Sequence, residues 1–205
     1  MTLRLLAAAL ALAAALPAAL PARAQDATHD PDAVKGGSYA IEPGHTQVGF
    51  SLLHLGFSYY SGTFSDASGS LRLSPKDPTK DKLVVTIPVG SVQTTSTKLD
   101  DELKGAEWFD AARYPNATFT STKVVPNGRD GARVSGTLSL HGESHPLTLN
   151  VHFVGAGFNP LDKKYTVGFE ATGTIRRSEF GVKTYVPLVG DEVRLAIAGA
   201  FELQG

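Results

Sequence analysis

The chain has 205 residues, a formal net charge of −1 and no cysteine, and 42% of its residues are hydrophobic. This length suits one domain with a substantial core, and the near-neutral charge gives no electrostatic footprint for nucleic acid or an anionic membrane surface. Without cysteine, the fold depends on its hydrophobic core alone and has no disulfide to support it.

The first residues have the pattern of a secretory signal peptide. Arg4 precedes a run of mostly alanine and leucine from residue 5 to residue 20, and Ala22-Arg23-Ala24 follows as a small-x-small cleavage site. The run is short for a bilayer span, which needs roughly 20 apolar residues. We expect residues 1–24 to be removed after Ala24 and the protein to reside in the periplasm, with secretion into the medium as the alternative.

The rest of the chain is predicted to be one all-β domain. Residues 25–37 are polar and predict a flexible lead-in. From residue 38 to residue 205, about eight to ten runs alternate apolar and polar residues, as Val48, Phe50 and Leu52 illustrate in the first run. A period of two indicates antiparallel strands with one buried and one solvated face. No later stretch is long and apolar enough to span a membrane, so we expect no stable membrane insertion.

One segment departs from the strand pattern. Residues 98–113 are rich in helix-forming residues, and Leu103 and Trp108 contribute to an apolar side. The segment ends just before Pro115, as helices commonly do. We expect one or two short helical turns that cross a barrel mouth; the alternative is an irregular loop with a hydrophobic plug.

The chain carries six histidines, but no catalytic or metal-binding motif is complete. His141 and His145 flank Gly142, and this glycine together with Pro146 favours a hairpin turn over a helix on which both rings could bind zinc. Ser144 lies in a motif that lacks the last glycine of the nucleophile elbow, and strand patterns surround it. We therefore predict no catalytic residue, no metal site and no cofactor.

Three polar residues are candidates for contact with a ligand at the barrel mouth. His45 and His54 flank the strand that contains Phe50, and His54 shares the parity of its apolar residues. Burying an imidazole costs free energy unless the ring is hydrogen-bonded, so an inward ring indicates a structural partner or a ligand head group. We expect one of the two guanidinium groups of Arg176 and Arg177 to reach the mouth, and we select Arg176 as the residue that contacts the ligand there.

A series of short motifs recurs in a fixed order along this domain. They are Tyr39-Ala40-Ile41-Glu42-Pro43, His45-Thr46 with Val48 and Phe50, His54–Ser58, Gly62–Phe64, Trp108–Asp110, Tyr114-Pro115 with Thr118 and Phe119, Gly136–Gly142, Arg177-Ser178 with Phe180-Gly181, and Asp191–Val193. In order and spacing they resemble the YceI-like family of periplasmic polyisoprenoid-binding proteins. The sequence departs from the family pattern at Gln93, Leu99 and Glu102, where an Arg or His that orients a head group would be lost.

The resemblance implies an antiparallel, lipocalin-like barrel of about eight strands that transports or stores a polyisoprenoid or a related amphiphile, such as an isoprenoid quinone or a fatty amide. A barrel of eight strands has an interior that can hold one small ligand. Strand alternation then selects seven residues to line this interior. They are Phe50, Leu52, Phe64, Leu138, Leu149, Phe169 and Ile197. The expected partner is therefore a lipid, and a homodimer is compatible with the sequence.

Two other functions are compatible with the same pattern. One is an exported enzyme that acts on an isoprenoid or a quinone and uses His54 or His45 as a base. The other is a ligand-free stress or interaction module, which predicts a barrel with a fully packed core and no cavity.

Overall fold

A computed structural model describes residues 27–205, and the predicted signal peptide lies outside the described residues. Within this range the chain forms ten strands and one α-helix. In chain order they are β1 (Gly37–Ile41), β2 (Gln47–His54), β3 (Ser58–Phe64), β4 (Ser68–Leu73), β5 (Lys82–Pro88), α1 (Thr97–Lys104), β6 (Asn116–Pro126), β7 (Gly131–Leu140), β8 (Glu143–Phe158), β9 (Tyr165–Arg176) and β10 (Val189–Leu203).

The strands form one antiparallel sheet that closes into a barrel. Their order is β1-β4-β5-β6-β7-β8-β9-β10-β2-β3, and β1 also pairs with β10. The first part of β10 pairs with β2 and its last part pairs with β1, so β1 and β2 are two halves of one barrel strand. In the same way β3 pairs with β2 while β4 pairs with β1. Counted by these joined halves, the barrel has eight strands, which confirms the predicted fold class.

Strand alternation determines which side chains face the interior. Val134 and Leu138 of β7 and Leu147 and Leu149 of β8 are all buried, while the residues between them are mostly more exposed. The register places Val134 directly opposite Leu149. Because neighbouring strands keep their pleats in phase, such pairs line one continuous inner face.

The helix begins where it is predicted but ends earlier. The side chain of Ser96 accepts a hydrogen bond from the backbone N–H of Leu99 and so caps the first turn of α1. Gly105 adopts an extended conformation and terminates the helix, and residues 106–113 form turns and irregular backbone. The helix and these turns still bury Leu103 and Trp108 against one end of the barrel.

The part of the lead-in that the structure describes packs against the barrel, where the sequence predicts a flexible segment. Thr28 forms a two-residue β-bridge with Ala156 of β8, and Val34 is buried in a core cluster together with Tyr39 and Val167. The polar composition of this segment gives no indication that Val34 is buried. Burial of that valine and two backbone hydrogen bonds to β8 keep the segment on the barrel.

Candidate ligand cavity

The barrel encloses a cavity of about 340 Å³. Its wall consists almost entirely of aliphatic and aromatic side chains from the inward faces of the strands. The phenylalanines on the wall are Phe50, Phe64, Phe109, Phe119, Phe153, Phe169 and Phe201. This volume lies in the usual range for small-molecule sites, roughly 300–1,000 Å³. Because such a wall offers few hydrogen bonds to water, the cavity suits an apolar ligand.

All seven residues that strand alternation selects for the interior lie on this wall. They are Phe50, Leu52, Phe64, Leu138, Leu149, Phe169 and Ile197. In each of these strands, the alternating set of residues predicted to face the interior does face the cavity. Contact of these residues with a ligand stays a prediction.

A row of aromatic rings forms the wall near α1. Phe50 lies opposite Gly62 in the pairing of β2 with β3, and a Cβ atom at Gly62 would lie only 2.4 Å from a carbon of the Phe50 ring. The glycine is thus required for the ring to lie across the neighbouring strand. The Phe50 ring centroid is 5.5 Å from that of Phe64, which is 5.6 Å from that of Phe109.

On the cavity wall next to α1, the charged residue is Arg177, and it is buried. Only 4% of this residue is exposed. Its Nε donates to the carbonyl of Gly190 at 2.8 Å, Nη1 to that of Val182 at 2.9 Å and Nη2 to that of Val189 at 2.7 Å. The guanidinium also lies 5.5 Å from the centre of the Trp108 ring. Arg177 therefore holds the segment before β10 against the barrel end.

Burial and a nearby carboxylate act on Arg177 in opposite directions. Burial lowers the pKa of its guanidinium, and the negative charge of Asp191 raises it. The Asp191 carboxylate is itself fixed, because it accepts hydrogen bonds from the backbone N–H and the hydroxyl of Ser178, both at 2.8 Å. An arginine keeps its charge under these conditions because its ordinary pKa is so high.

None of the three predicted polar residues lies on the cavity wall, and their contact with a ligand head group stays a prediction. His45 closes a 3₁₀ turn, and its Nδ1 lies 2.6 Å from Oε2 of Glu42 on the surface. His54 is the last residue of β2 and is exposed, with its ring 6.1 Å from that of Tyr60. Arg176 is exposed at the end of β9. Alternation continues along each strand, but the cavity ends before these positions.

The opposite end of the cavity carries the remaining charged wall residues. Asp81 is half-buried, and its Oδ1 accepts a hydrogen bond of 2.6 Å from the backbone N–H of Ser74. Burial raises the pKa of this carboxyl to about 6. Arg129 and Asp130 are the exposed members of the wall within residues 27–205, and an Arg129 Nη2 lies 2.9 Å from Oδ1 of Asp30. The cavity thus approaches the surface at this end.

Comparison with known proteins identifies the family of this barrel. Residues 39–201 match the model of the YceI-like domain. The chain belongs to the YceI-like family. It is 40% identical over 154 residues to protein YceI of Escherichia coli O6:H1, a match that covers 75% of this chain and 80% of the relative. Protein YceI of Salmonella arizonae is 39% identical over the same shares of the two chains.

Solved structures share the YceI-like fold. BcnA of Burkholderia cenocepacia superimposes with a TM-score of 0.70 and 26% identity over 78% of this chain and 98% of its own. The YceI protein of Campylobacter jejuni gives a TM-score of 0.66 and 30% identity over 75% of this chain and 90% of its own. A polyisoprenoid-binding domain from Saccharophagus degradans, 17% identical, gives a TM-score of 0.62 over 81% of this chain and 98% of its own and shares the fold.

The other histidines of this YceI-like barrel make local contacts. His141 Nδ1 lies 2.9 Å from the carbonyl oxygen of Phe180, its ring packs edge-on against Tyr114, and the ring of His145 packs against Phe180. Within residues 27–205, no group of three or more His, Cys, Asp or Glu side chains is arranged to hold a metal ion. No helix in this range has the length and apolar character needed to cross a membrane.

Proposed function

We propose that this YceI-like protein binds a long-chain polyisoprenoid or a related amphiphile inside its barrel and transports or stores it. The observation that carries the proposal is the closed barrel around a cavity of about 340 Å³ with a nearly apolar wall. The shared fold of the polyisoprenoid-binding domain from Saccharophagus degradans supports the same ligand class. A packed interaction module predicts no such cavity.

Sequestration of an apolar chain from water supplies the binding free energy. Each methylene that leaves water contributes about 0.8 kcal/mol, whereas an exposed polar pair at an opening contributes only about 0–1 kcal/mol. Chain burial therefore sets the affinity, and polar groups at the ends of the cavity set the preference among head groups. This mechanism makes and breaks no bond. The alternative enzyme would use His45 or His54 as a base, and both side chains lie outside the cavity wall.

The periplasm is the proposed location. Its support is the N-terminal pattern of Arg4, the apolar run and Ala22-Arg23-Ala24. The intact mass of the protein recovered from the periplasmic fraction tests it, since cleavage after Ala24 leaves Gln25 as the first residue. Recovery of the uncleaved chain in the membrane fraction would contradict this location.

The binding proposal is tested by native mass spectrometry of the purified protein, followed by organic extraction. We expect one long-chain isoprenoid or similar lipid per barrel. A mass that matches the empty protein, with no uptake when geranylgeraniol or a long-chain fatty amide is added, would contradict the proposal.

Aspartate substitutions on the wall make this test specific. Phe169→Asp places a charge inside the cavity, and we expect lipid content to fall at least tenfold because the carboxylate must lose water there. Phe57→Asp is the matched control, since Phe57 is 88% exposed and does not line the cavity. Ala171→Leu fills part of the cavity without adding charge and should also reduce uptake in a folded protein. If both wall variants fold and keep their full lipid content, this cavity is not the lipid-binding site.

A further inference from the structure

The two ends of the cavity differ in the polar atoms that they offer to a ligand. At the end next to α1, every nitrogen of Arg177 already donates to a backbone carbonyl, at 2.7–2.9 Å. These bonds fix the segment that closes this end. The guanidinium therefore acts as a structural support, and the neighbouring wall residues Leu103, Trp108 and Val182 are apolar.

At the opposite end, Asp81 has an oxygen that is not used by the fold. Its Oδ1 accepts the backbone N–H of Ser74, and no other hydrogen bond reaches this carboxylate from the residues that the structure describes. The side chain lies on the cavity wall next to apolar residues of the same turn segment, Pro75 and Pro78. A half-buried acceptor in an apolar wall gains free energy when a ligand donates a hydrogen bond to it.

We propose that Asp81 recognises the head group and selects lipids that end in an uncharged hydrogen-bond donor, such as an alcohol or a phenol, over lipids that end in a phosphate. This inference rests on the proposed lipid-binding function. Donation from a hydroxyl to the ionised carboxylate satisfies its free oxygen. A phosphate would instead bring a second negative charge into a partly desolvated site, where like charges repel strongly.

Two further carboxylates at this end of the cavity, those of Asp77 and Asp130, support this selection. Burial is the main cause of the raised pKa of Asp81. The negative charge of Asp77, which lies in the same turn segment, raises this pKa further. Asp130 adds another carboxylate to the same end of the wall. The cation on the wall there, Arg129, is paired with Asp30 at 2.9 Å. This ion pair offsets part of the attraction that Arg129 would offer to an incoming phosphate.

The test compares three probes with one chain and different ends: all-trans-geranylgeraniol, its methyl ether and its monophosphate. Trp108 is the single tryptophan of the chain and lies on the cavity wall, so its fluorescence reports binding to delipidated protein. At pH 7.5 we expect the alcohol to bind about fivefold more tightly than the ether and at least tenfold more tightly than the monophosphate. Asp81→Leu should abolish the preference for alcohol over ether, and Asp81→Asn should reduce the penalty for the monophosphate to less than threefold.

Asp101→Asn is the matched control, because Asp101 is exposed on α1 at the other end of the barrel. It should keep all three affinities. If the probes bind but their ratios do not change in the Asp81 variants, the inference about Asp81 is overturned and the lipid-binding function stands. If the monophosphate binds most tightly and Arg129→Gln weakens it, Arg129 is the recognition residue and the inference is also overturned. If no probe binds to folded protein, both proposals fail.

Discussion

Two adjacent arginines at the end of β9 have opposite environments. Arg176 is exposed, whereas Arg177 is buried and donates to three carbonyls of the segment between Val182 and Gly190. A buried guanidinium is tolerated only when its donors are paired, and removing it leaves the acceptors without partners. The stability of this end of the barrel therefore depends on one of the two residues.

Thermal unfolding of two matched variants tests this dependence. Arg177→Met leaves three backbone carbonyls unpaired, and we expect a loss of about 3 kcal/mol in the free energy of unfolding. For a domain of this size, such a loss lowers Tm by about 6–12 °C. Arg176→Met removes an exposed charge and should change Tm by about 2 °C or less. Equal Tm values for the two variants would contradict the structural role of Arg177.

The apolar wall could be predicted at the residue scale, but the polar residues could not. Alternation places Phe50 and Phe169 inside because a pleated strand leaves no other choice once one face is buried. Asp81 lies in a turn segment rich in Pro, Asp and Lys, where period two carries no information. His54 shares the alternation of the inward-facing residues of β2, but it is the last residue of that strand and is exposed. Alternation alone therefore does not tell where along a strand the cavity ends.

At the scale of elements, two irregular segments cover the two ends of the barrel. The segment from α1 to residue 113 covers one end with Leu103 and Trp108, as the sequence predicts in part. The lead-in contributes Pro31 and Val34 to the wall at the other end. The helix could be predicted because helix formers cluster there. The packing of the lead-in could not, because a single valine in a polar segment has no periodicity.

Neighbouring substitutions in the lead-in test its role as a cover. Val34→Asp buries a charge against Tyr39 and Val167, and we expect a loss of at least about 2 kcal/mol in unfolding free energy. Lipid should also dissociate faster, because the cover at this end is loosened. Ala33→Asp is exposed and should have little effect on either quantity. Stopped-flow transfer of a fluorescent isoprenoid to vesicles measures the dissociation rate. If Val34→Asp destabilises the protein but leaves this rate unchanged, the lead-in does not retain the ligand.

The closed barrel as a whole combines nearly continuous strand pairing with an incompletely filled interior. Because β1 closes the sheet against β10, the other strands have a neighbour on both sides, whereas β3 has β2 on one side and a single β-bridge from Thr63 to Gln93 on the other. Paired edges of this kind are protected from pairing with other chains. The cavity has the opposite effect, because side chains on its wall lack contacts that a packed core would supply. A ligand that fills the cavity restores these contacts only in the folded state.

Occupancy of the cavity should therefore stabilise the entire molecule. For lipid present at 100 times its Kd, mass action adds about 2.7 kcal/mol to the free energy of unfolding. We expect delipidated protein to gain about 5–11 °C in Tm when geranylgeraniol is restored, since a domain of this size gains about 2–4 °C per kcal/mol. Phe169→Asp should lose this gain, because its wall no longer accepts the chain, whereas the surface variant Phe57→Asp should keep it. A gain that persists in folded Phe169→Asp would mean that the lipid stabilises the protein from outside the barrel.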